Sequence, residues 1–162
     1  NNANNNATYT WDWRNHPVSV SETSGNTTYV YDGDGTRISK TQSSVMTKYI
    51  NDVALPLVQV LMETTDANIV QAVYTYGNGL ISMNRADANS YYHYDGLGST
   101  RQLTNSAGAV VASYTYDSFG NRIAGTGTSD NAYGFTGQQQ FGEAAGEGCY
   151  RAVFLFIKWG FS

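Results

Sequence analysis

The sequence lacks the features that mark disulfide-stapled, nucleic-acid-binding and membrane-spanning proteins. It has one cysteine, Cys149, in 162 residues, so no internal disulfide is possible. Lys and Arg total 9 and form no cluster, and the net charge is −4, which argues against nucleic-acid binding through phosphate contacts. No segment reaches about 18 apolar residues, so no membrane span is predicted. No charged region followed by an apolar one opens the chain, so no signal peptide is visible.

Charge and proline are also scarce. Charged residues make up 14% of the chain, which is low for a self-contained soluble domain. There are 2 Pro but 17 Gly and 13 Tyr. Tyr, Thr, Val and Ile favour strands, whereas Gly, Asn, Asp and Ser favour turns. The composition predicts an all-β chain, and it fits one part of a larger assembly whose surface is partly covered by its neighbours.

The chain does contain a repeated phrase, Tyr-x-Tyr-Asp-x-x-Gly-x-Arg. It reads in full at 29–37 and 114–122, and at 92–101 it returns with its Arg one place late. Tyr9-Thr10-Trp11-Asp12 opens a fourth copy, and Tyr74-Thr75-Tyr76-Gly77 is a degenerate fifth. A phrase that recurs about every 20 residues predicts one small unit stacked many times. The residues predicted to carry this structure are Tyr29, Tyr31, Asp32, Gly35, Arg37, Tyr92, Tyr94, Asp95, Gly98, Arg101, Tyr114, Tyr116, Asp117, Gly120 and Arg122.

Each phrase predicts a β-hairpin. Tyr-x-Tyr places both rings on one face of a strand, because side chains alternate with period two. Asp-x-x-Gly suits a type I turn that ends in a left-handed glycine. In that register Tyr31 lies across from Arg37 and Tyr116 from Arg122, where a guanidinium over a tyrosine face would add roughly 0.5–1 kcal/mol. The extra residue before Arg101 predicts a shifted pairing in the copy at 92–101. Gly120→Val is expected to break the hairpin of the copy at 114–122.

Strands are predicted throughout the chain. The segment Leu55–Met62 could be a strand or a buried helix, and its length, Pro56 and β-rich surroundings favour a strand. Residues 125–132 are predicted to be a flexible loop, and no compositional break indicates a second domain. The remaining predicted strands are 9–13, 17–21, 27–31, 36–41, 45–50, 69–76, 80–84, 90–95, 100–104, 110–116 and 121–124.

These phrases resemble the RHS/YD repeats of bacterial polymorphic toxins, of the C components of insecticidal Tc toxins and of animal teneurins. The middle of the chain is similar to the RHS repeat-associated core, on the residues Lys48–Asp52, Tyr74–Ser82, Tyr92–Arg101 and Tyr133–Gln138. The resemblance covers roughly residues 8–145, and several spaced motifs occur in the family's order. It implies tandem hairpins in a curled, shell-like sheet that encloses a cargo, often the toxic C-terminus of the same polypeptide. It also implies a secreted or cell-surface bacterial protein.

The chain departs from that family near its end. Cys149-Tyr150-Arg151-Ala152 could begin the family's Arg-rich run, but Val153–Ser162 does not continue it. The two late aspartates that carry autoproteolysis in the family are missing, since no Asp follows Asp130. A truncated or frame-altered end is the simplest explanation, and a genuine variant terminus is the alternative. The expected organisation is a loose lead-in over 1–8, the repeat region over 9–145 and a divergent apolar tail over 146–162.

Candidate chemistry is sparse. Asp32-Gly33-Asp34-Gly35 begins like a calcium loop, but no late bidentate Glu follows, so a plain turn is favoured. His16 and His93 have no Cys or second His nearby, and His93 alternates with two tyrosines as a strand residue on the opposite face would. No Gly-x-Ser-x-Gly elbow occurs, and Cys149 has no histidine within reach along the sequence. We therefore expect no catalytic residue, no metal, no cofactor and no enzymatic activity.

The tyrosines are the strongest candidate for binding. Exposed aromatic ladders can stack on sugar rings, and the resembling family is often linked to carbohydrate binding, whereas cross-strand packing explains tyrosines that repeat with the turns. The favoured interpretation is a structural segment of an RHS/YD shell that encloses or scaffolds a toxin, with neighbouring repeats and that cargo as partners. The alternatives are a glycan-binding module and the remnant of an autoproteolytic core.

Overall fold

A computed structural model of the chain describes residues 8–22, 25–54 and 57–139. Within these ranges the chain forms β-strands and one 3-10 turn, Phe135–Gly137. The order of the strands in the sheet follows the sequence, so each strand forms hairpins with its neighbours. The predicted all-β fold of tandem hairpins is confirmed. The strands are β1 (Thr8–Trp11), β2 (Pro17–Glu22), β3 (Gly25–Tyr31), β4 (Arg37–Gln42), β5 (Val45–Asp52), β6 (Gln59–Thr65), β7 (Val70–Gly77), β8 (Gly79–Arg85), β9 (Ala88–Tyr94), β10 (Thr100–Thr104), β11 (Val110–Tyr116) and β12 (Arg122–Gly127).

The chain divides into two compact units. Unit 1 comprises the chain up to Thr75 together with Met83–Asp87, and unit 2 comprises Tyr76–Ser82 together with the chain from Ala88 onward. All of the predicted lead-in except Thr8, and all of the predicted tail, lie outside the described residues. In the parts of the chain that are described, no helix has the length and apolar character needed to cross a membrane.

One five-residue loop geometry recurs in six of the described hairpins, each beginning at an Asp, Asn or Thr. The backbone N–H of the first loop residue donates to the carbonyl of the fifth, as Asp32 N–H does to Thr36 O at 2.9 Å. The backbone N–H of the fourth residue donates to the carbonyl of the first, as Gly35 N–H does to Asp32 O at 3.2 Å. The fourth residue has a positive φ, such as 83° at Gly35 and 64° at Asn15. These loops occupy residues 12–16, 32–36, 65–69, 95–99, 105–109 and 117–121. Asp12 therefore does open a fourth copy of the phrase, with Asn in place of Gly.

Two other hairpins turn on only two residues. Ser43 and Ser44 have φ of 48° and 69°, and Ala86 and Asp87 have φ of 49° and 61°. Two consecutive left-handed residues are the type I′ turn, whose twist matches that of the flanking strands. Here the turn is imposed by the paired strands, as Gln42 faces Val45 across it.

Most predicted strand bounds differ from the structure by one or two residues, and two segments differ by more. In the ambiguous run Leu55–Met62, of which residues 55 and 56 lie outside the described residues, strand β6 begins at Gln59 and continues to Thr65. The predicted flexible loop 125–132 is wrong at its start, because β12 continues to Gly127. The glycines of β12 allow this close pairing: a Cβ on Gly127 would lie 1.9 Å from Val111 O.

Each unit has its own tyrosine-rich core. In unit 1 the buried residues include Val20, Tyr29, Tyr49, Ala72 and Tyr74. In unit 2 they include Leu80, Tyr92, Leu103, Ala112 and Tyr114. The side chains between the core positions point to the opposite face, as Val30 is 51% exposed beside the buried Tyr29. The period of two that the sequence predicts for Tyr-x-Tyr is thus present.

Candidate functional site

The aspartate of each phrase closes its own turn. Asp32 Oδ1 accepts hydrogen bonds from Asp34 N–H at 3.0 Å and from Thr36 N–H at 2.8 Å. Asp95 and Asp117 accept the equivalent pairs, and Asn105 does the same with its amide oxygen. These carboxylates are occupied by backbone donors, which is the structural role predicted for them.

The calcium-like sequence 32–35 is such a turn. Its first aspartate is turned inward onto the backbone of its own loop, which leaves no convergent set of oxygen ligands there. Among the described residues no group of three or more His, Cys, Asp or Glu side chains is placed to hold a metal ion.

The tyrosine pair of each phrase divides into a buried ring and a more accessible one. Tyr29, Tyr92 and Tyr114 are buried, whereas Tyr94 is 37% exposed. The rings of Tyr92 and Tyr94 stack with centroids 5.9 Å apart, and those of Tyr114 and Tyr116 with centroids 6.4 Å apart. Stacking at this distance stabilises the sheet. Of these second rings only Tyr94 is open to solvent, because Tyr31 and Tyr116 are half-buried against His16 and Phe135.

The arginine of the phrase lies over a buried tyrosine. Arg37 pairs across the hairpin with Tyr31, and Arg122 with Tyr116, as the sequence predicts. The Arg37 guanidinium lies 5.6 Å from the ring centroid of Tyr29 and 5.0 Å from that of Tyr49, and Arg122 lies 4.8 Å from that of Tyr114. The predicted cation–π contact thus involves the first tyrosine of the phrase.

The prediction of a shifted pairing in the looser copy is wrong. Thr100 faces Tyr94 in the same register in which Arg37 faces Tyr31. The turn fixes this register, because both copies close the same five-residue loop. Arg101 instead falls at the irregularity between Thr100 and Gln102, and it lies 6.0 Å from the ring of Tyr116 on the next strand.

A buried acid in unit 1 was not anticipated from the sequence. Glu63 is only 6% exposed, and it faces Tyr49 across the β5–β6 pair. Its carboxylate accepts hydrogen bonds from Tyr74 Oη at 2.8 Å and from Arg85 Nη2 at 2.7 Å. Burial by itself would lower the pKa of Arg85, but the hydrogen bond and the charge of Glu63 outweigh it, and the pKa is raised. Because Glu63 and Arg85 are far apart in sequence, only the strand register reveals the pair.

Asn131 is a second polar residue that the sequence did not reveal. It lies in the segment predicted to be a flexible loop, yet its Oδ1 accepts hydrogen bonds from Tyr92 Oη and from Tyr133 N–H, each at 2.9 Å. The following residues lie against the end of the turn at 95–99: Thr100 N–H donates to Gly134 O at 3.0 Å, and Thr136 N–H donates to Ser99 Oγ at 3.0 Å. Residues 131–139 are therefore an ordered strap over the hairpins of unit 2.

The histidines occupy structural positions. His16 Nδ1 lies 3.0 Å from Asp12 Oδ2, and the imidazole stacks on Tyr31 with centroids 4.8 Å apart. An open groove of about 490 Å³ adjoins this pair and is lined also by Trp13 and Arg14. His93 lies on the exposed face, where its Nε2 is 2.9 Å from Thr104 Oγ1. The hydroxyl beside His93 belongs to Thr104, and among the hydrogen bonds of the described residues none joins a carboxylate to that imidazole to orient it as a base.

The pKa shifts agree with these structural roles. Hydrogen bonds from His16 and Arg14 lower the pKa of Asp12, although partial desolvation opposes them. Hydrogen bonds from Asn121 likewise lower the pKa of Asp117. Burial raises the pKa of Tyr29 to about 12, and it raises that of Tyr114 as well.

Comparison with known proteins gives partial relatives. No family model matches the chain. Over 87 residues it is 34% identical to a tRNA3(Ser)-specific nuclease WapA of Bacillus spizizenii and 36% identical to a tRNA nuclease WapA of Bacillus subtilis. Each match covers 51% of this chain and 4% of the relative. The chain thus corresponds to a small part of proteins that are named as nucleases, and our expectation that it is not an enzyme stays a prediction.

The fold is shared with a much larger structure. Crystal structures of TcdB2-TccC3, by itself and with Cdc42, match this chain with a TM-score of 0.58 at 12% sequence identity. The match covers 83% of this chain and 8% of that one. At this identity the likeness shows the fold. Together the two comparisons are consistent with an RHS-type repeat region.

Proposed function

We propose that this chain is a structural segment of an RHS/YD-repeat shell, and that the shell encloses or scaffolds a toxin in a secreted or cell-surface bacterial protein. Its partners are neighbouring repeats and the enclosed cargo. The observation that carries the proposal is the repetition of one hairpin, whose aspartate, tyrosines and arginine are all used in holding the sheet together. A chain whose repeated residues make contacts within its own sheet is suited to forming part of a shell.

The edges of the sheet support this proposal. β1 pairs with β2, β12 pairs with β11, and these two strands end the strand order. Every residue of β12 is exposed. Edge strands present unpaired backbone groups, and they invite a further strand. Additional hairpins of the same kind would satisfy both edges.

The exposed apolar side chains of unit 1 also support it. On the face opposite Tyr29 and Tyr49, Val30 is 51% exposed and Ile50 is 50% exposed. Exposed apolar side chains that share one face of a sheet are expected where another part of an assembly covers that face. Glycan binding is less well supported, because the first tyrosine of each phrase is buried beneath an arginine or a second ring.

A protease-protection experiment tests enclosure. In the natural polypeptide that carries this chain, a recognition site for a specific protease is inserted either in the loop Asn105–Ala109 or directly after Ser162. The loop residues Ser106–Ala109 are exposed, so we expect rapid cleavage there and protection of the second site in the folded protein. Denaturant should remove the protection.

Cleavage of both sites at the same rate in the folded protein would overturn the enclosure proposal. The control is the circular dichroism spectrum and melting temperature of each variant before protease is added. A variant that keeps both has kept the sheet, so its cleavage pattern reports access and not unfolding.

A further inference from the structure

In unit 2 an aromatic ring lies directly on the turn glycine of a phrase. The Phe135 ring meets Tyr116 edge-on, with centroids 5.8 Å apart and an interplanar angle of 66°. A Cβ placed on Gly120 would lie 2.7 Å from Phe135 Cδ1. Gly120 is buried as a result. Phe135 belongs to the strap, so the ring joins a later segment of the chain to the β11–β12 hairpin.

In unit 1 a different ring occupies the same place in another phrase. The His16 imidazole stacks on Tyr31 with centroids 4.8 Å apart, and a Cβ on Gly35 would lie 2.9 Å from His16 Nε2. His16 comes from the preceding hairpin, and Asp12 orients it through Nδ1. The His16 ring thus joins the β1–β2 hairpin to the β3–β4 hairpin.

The turn itself does not require glycine at this position. Asn15 and Asn68 occupy the fourth place of the same loop with φ of 64° and 62°. Asparagine tolerates this left-handed conformation through its short polar side chain. At Gly35 and Gly120 a side chain is also excluded by the close approach of a ring, whereas Gly108, in the same kind of turn, has nothing near its Cβ position.

We propose that the second tyrosine and the turn glycine of the hairpins at Tyr31–Gly35 and Tyr116–Gly120 form a ring socket, which docks a flat aromatic or imidazole side chain from another segment of the same polypeptide. The absent Cβ opens the socket, and the tyrosine forms its wall. The strap is fastened to the sheet in this way at Gly120, and neighbouring hairpins are joined in this way at Gly35. In the copy at Gly98 the only atom within 4 Å of the Cβ position is the Thr136 backbone carbonyl carbon, so that glycine holds no ring. The socket attaches one segment of the repeat region to another, whether or not the parent protein encloses a cargo.

Nuclear magnetic resonance of the full chain tests the socket directly. A ring this close to a glycine shifts the resonances of its α-protons through the ring current, so we expect the Gly120 α-protons to be displaced from those of Gly108, whose turn is the same but which has nothing within 4 Å of its Cβ position. Phe135→Leu keeps an apolar side chain and should return Gly120 to the position of Gly108. Unshifted Gly120 α-protons in the unmodified chain would overturn the proposal.

A substitution series separates the socket from the turn. Gly108→Asn should leave the melting temperature nearly unchanged, whereas Gly120→Asn should lower it and should expose the strap to protease. In a Phe135→Ala background the extra effect of Gly120→Asn should vanish, because no ring remains to be displaced. Equal effects of Gly120→Asn with and without Phe135 would contradict the socket, even if protease protection in the parent protein supported the shell.

Discussion

Replacement of Glu63 by glutamine should destabilise unit 1 far more than loss of a surface ion pair. The substitution keeps the shape of the side chain but removes the charge that holds Arg85 Nη2 at 2.7 Å and Tyr74 Oη at 2.8 Å. Loss of one partner from a buried ion pair costs roughly 3–5 kcal/mol, because the other charge is left without compensation. Arg85 remains 23% exposed, so water can partly solvate it, and we expect a loss of about 3 kcal/mol.

The neighbouring pair Lys48–Asp66 provides the control. Its Nζ and Oδ1 are 3.1 Å apart, but the side chains are 35% and 75% exposed. Lys48→Met should therefore change the free energy of unfolding by about 0–1 kcal/mol, as is usual for surface pairs. Urea denaturation of the full chain, followed by circular dichroism, measures both variants against the same baseline.

A double substitution shows whether the loss comes from the uncompensated charge. Arg85 Nε is buried and has no hydrogen-bond partner, so the arginine depends on Glu63 for most of its compensation. Glu63→Leu combined with Arg85→Met removes both charges, and it should recover most of the stability lost in Glu63→Gln. A Glu63→Gln loss no larger than that of Lys48→Met would refute the reasoning.

Three further predictions follow from the phrases. Asp117→Ala should lower the melting temperature more than Asp117→Asn, because an Asn keeps the two backbone hydrogen bonds that Asn105 makes in its own turn and loses only the one from Asn121 Nδ2. Since the pKa of Asp117 is lowered in the fold, its contribution is present above its usual value of 3.8 and should fade, in thermal melts, as the pH falls through the depressed pKa. In an alkaline ultraviolet titration Tyr29 should ionise near pH 12, after exposed tyrosines at about 10, and stability should fall as pH rises through that range. Arg122→Lys, measured by urea denaturation, should cost about 0.5–1 kcal/mol through the weaker contact with Tyr114.

The phrase allowed much of the fold to be predicted. Tyr-x-Tyr gave the face of each strand, and Asp-x-x-Gly gave the loop, because both are local consequences of backbone geometry. The pairing of Tyr31 with Arg37 followed from the loop length alone. The error at Arg101 has the same origin: the loop length fixes the register, and the position of the arginine does not.

What could not be predicted depends on contacts between distant segments. The left-handed turn at Ser43–Ser44 is imposed by its strands, since serine carries no preference for positive φ. The pair Glu63–Arg85 requires the register of two successive hairpins, β6–β7 and β7–β8. Asn131 lies in a stretch of turn-forming residues, and its role is apparent only when Tyr92 and Tyr133 are seen to converge on it.

In the hairpin at 114–122 the residues of the tyrosine phrase make structural contacts. Asp117 is used by the turn, Arg122 by the buried ring of Tyr114 and Gly120 by the docked ring of Phe135. The specificity of a protein built in this way would lie in what the repeats surround.

The most direct test is a cryo-electron microscopy structure of the natural polypeptide that carries this chain. The account predicts that β1 and β12 each pair with a further antiparallel hairpin, and that the repeated hairpins surround a separate segment. A structure in which both edges face solvent and nothing lies within the repeats would contradict the shell, and it would leave a self-standing sheet whose function must be sought on its surface.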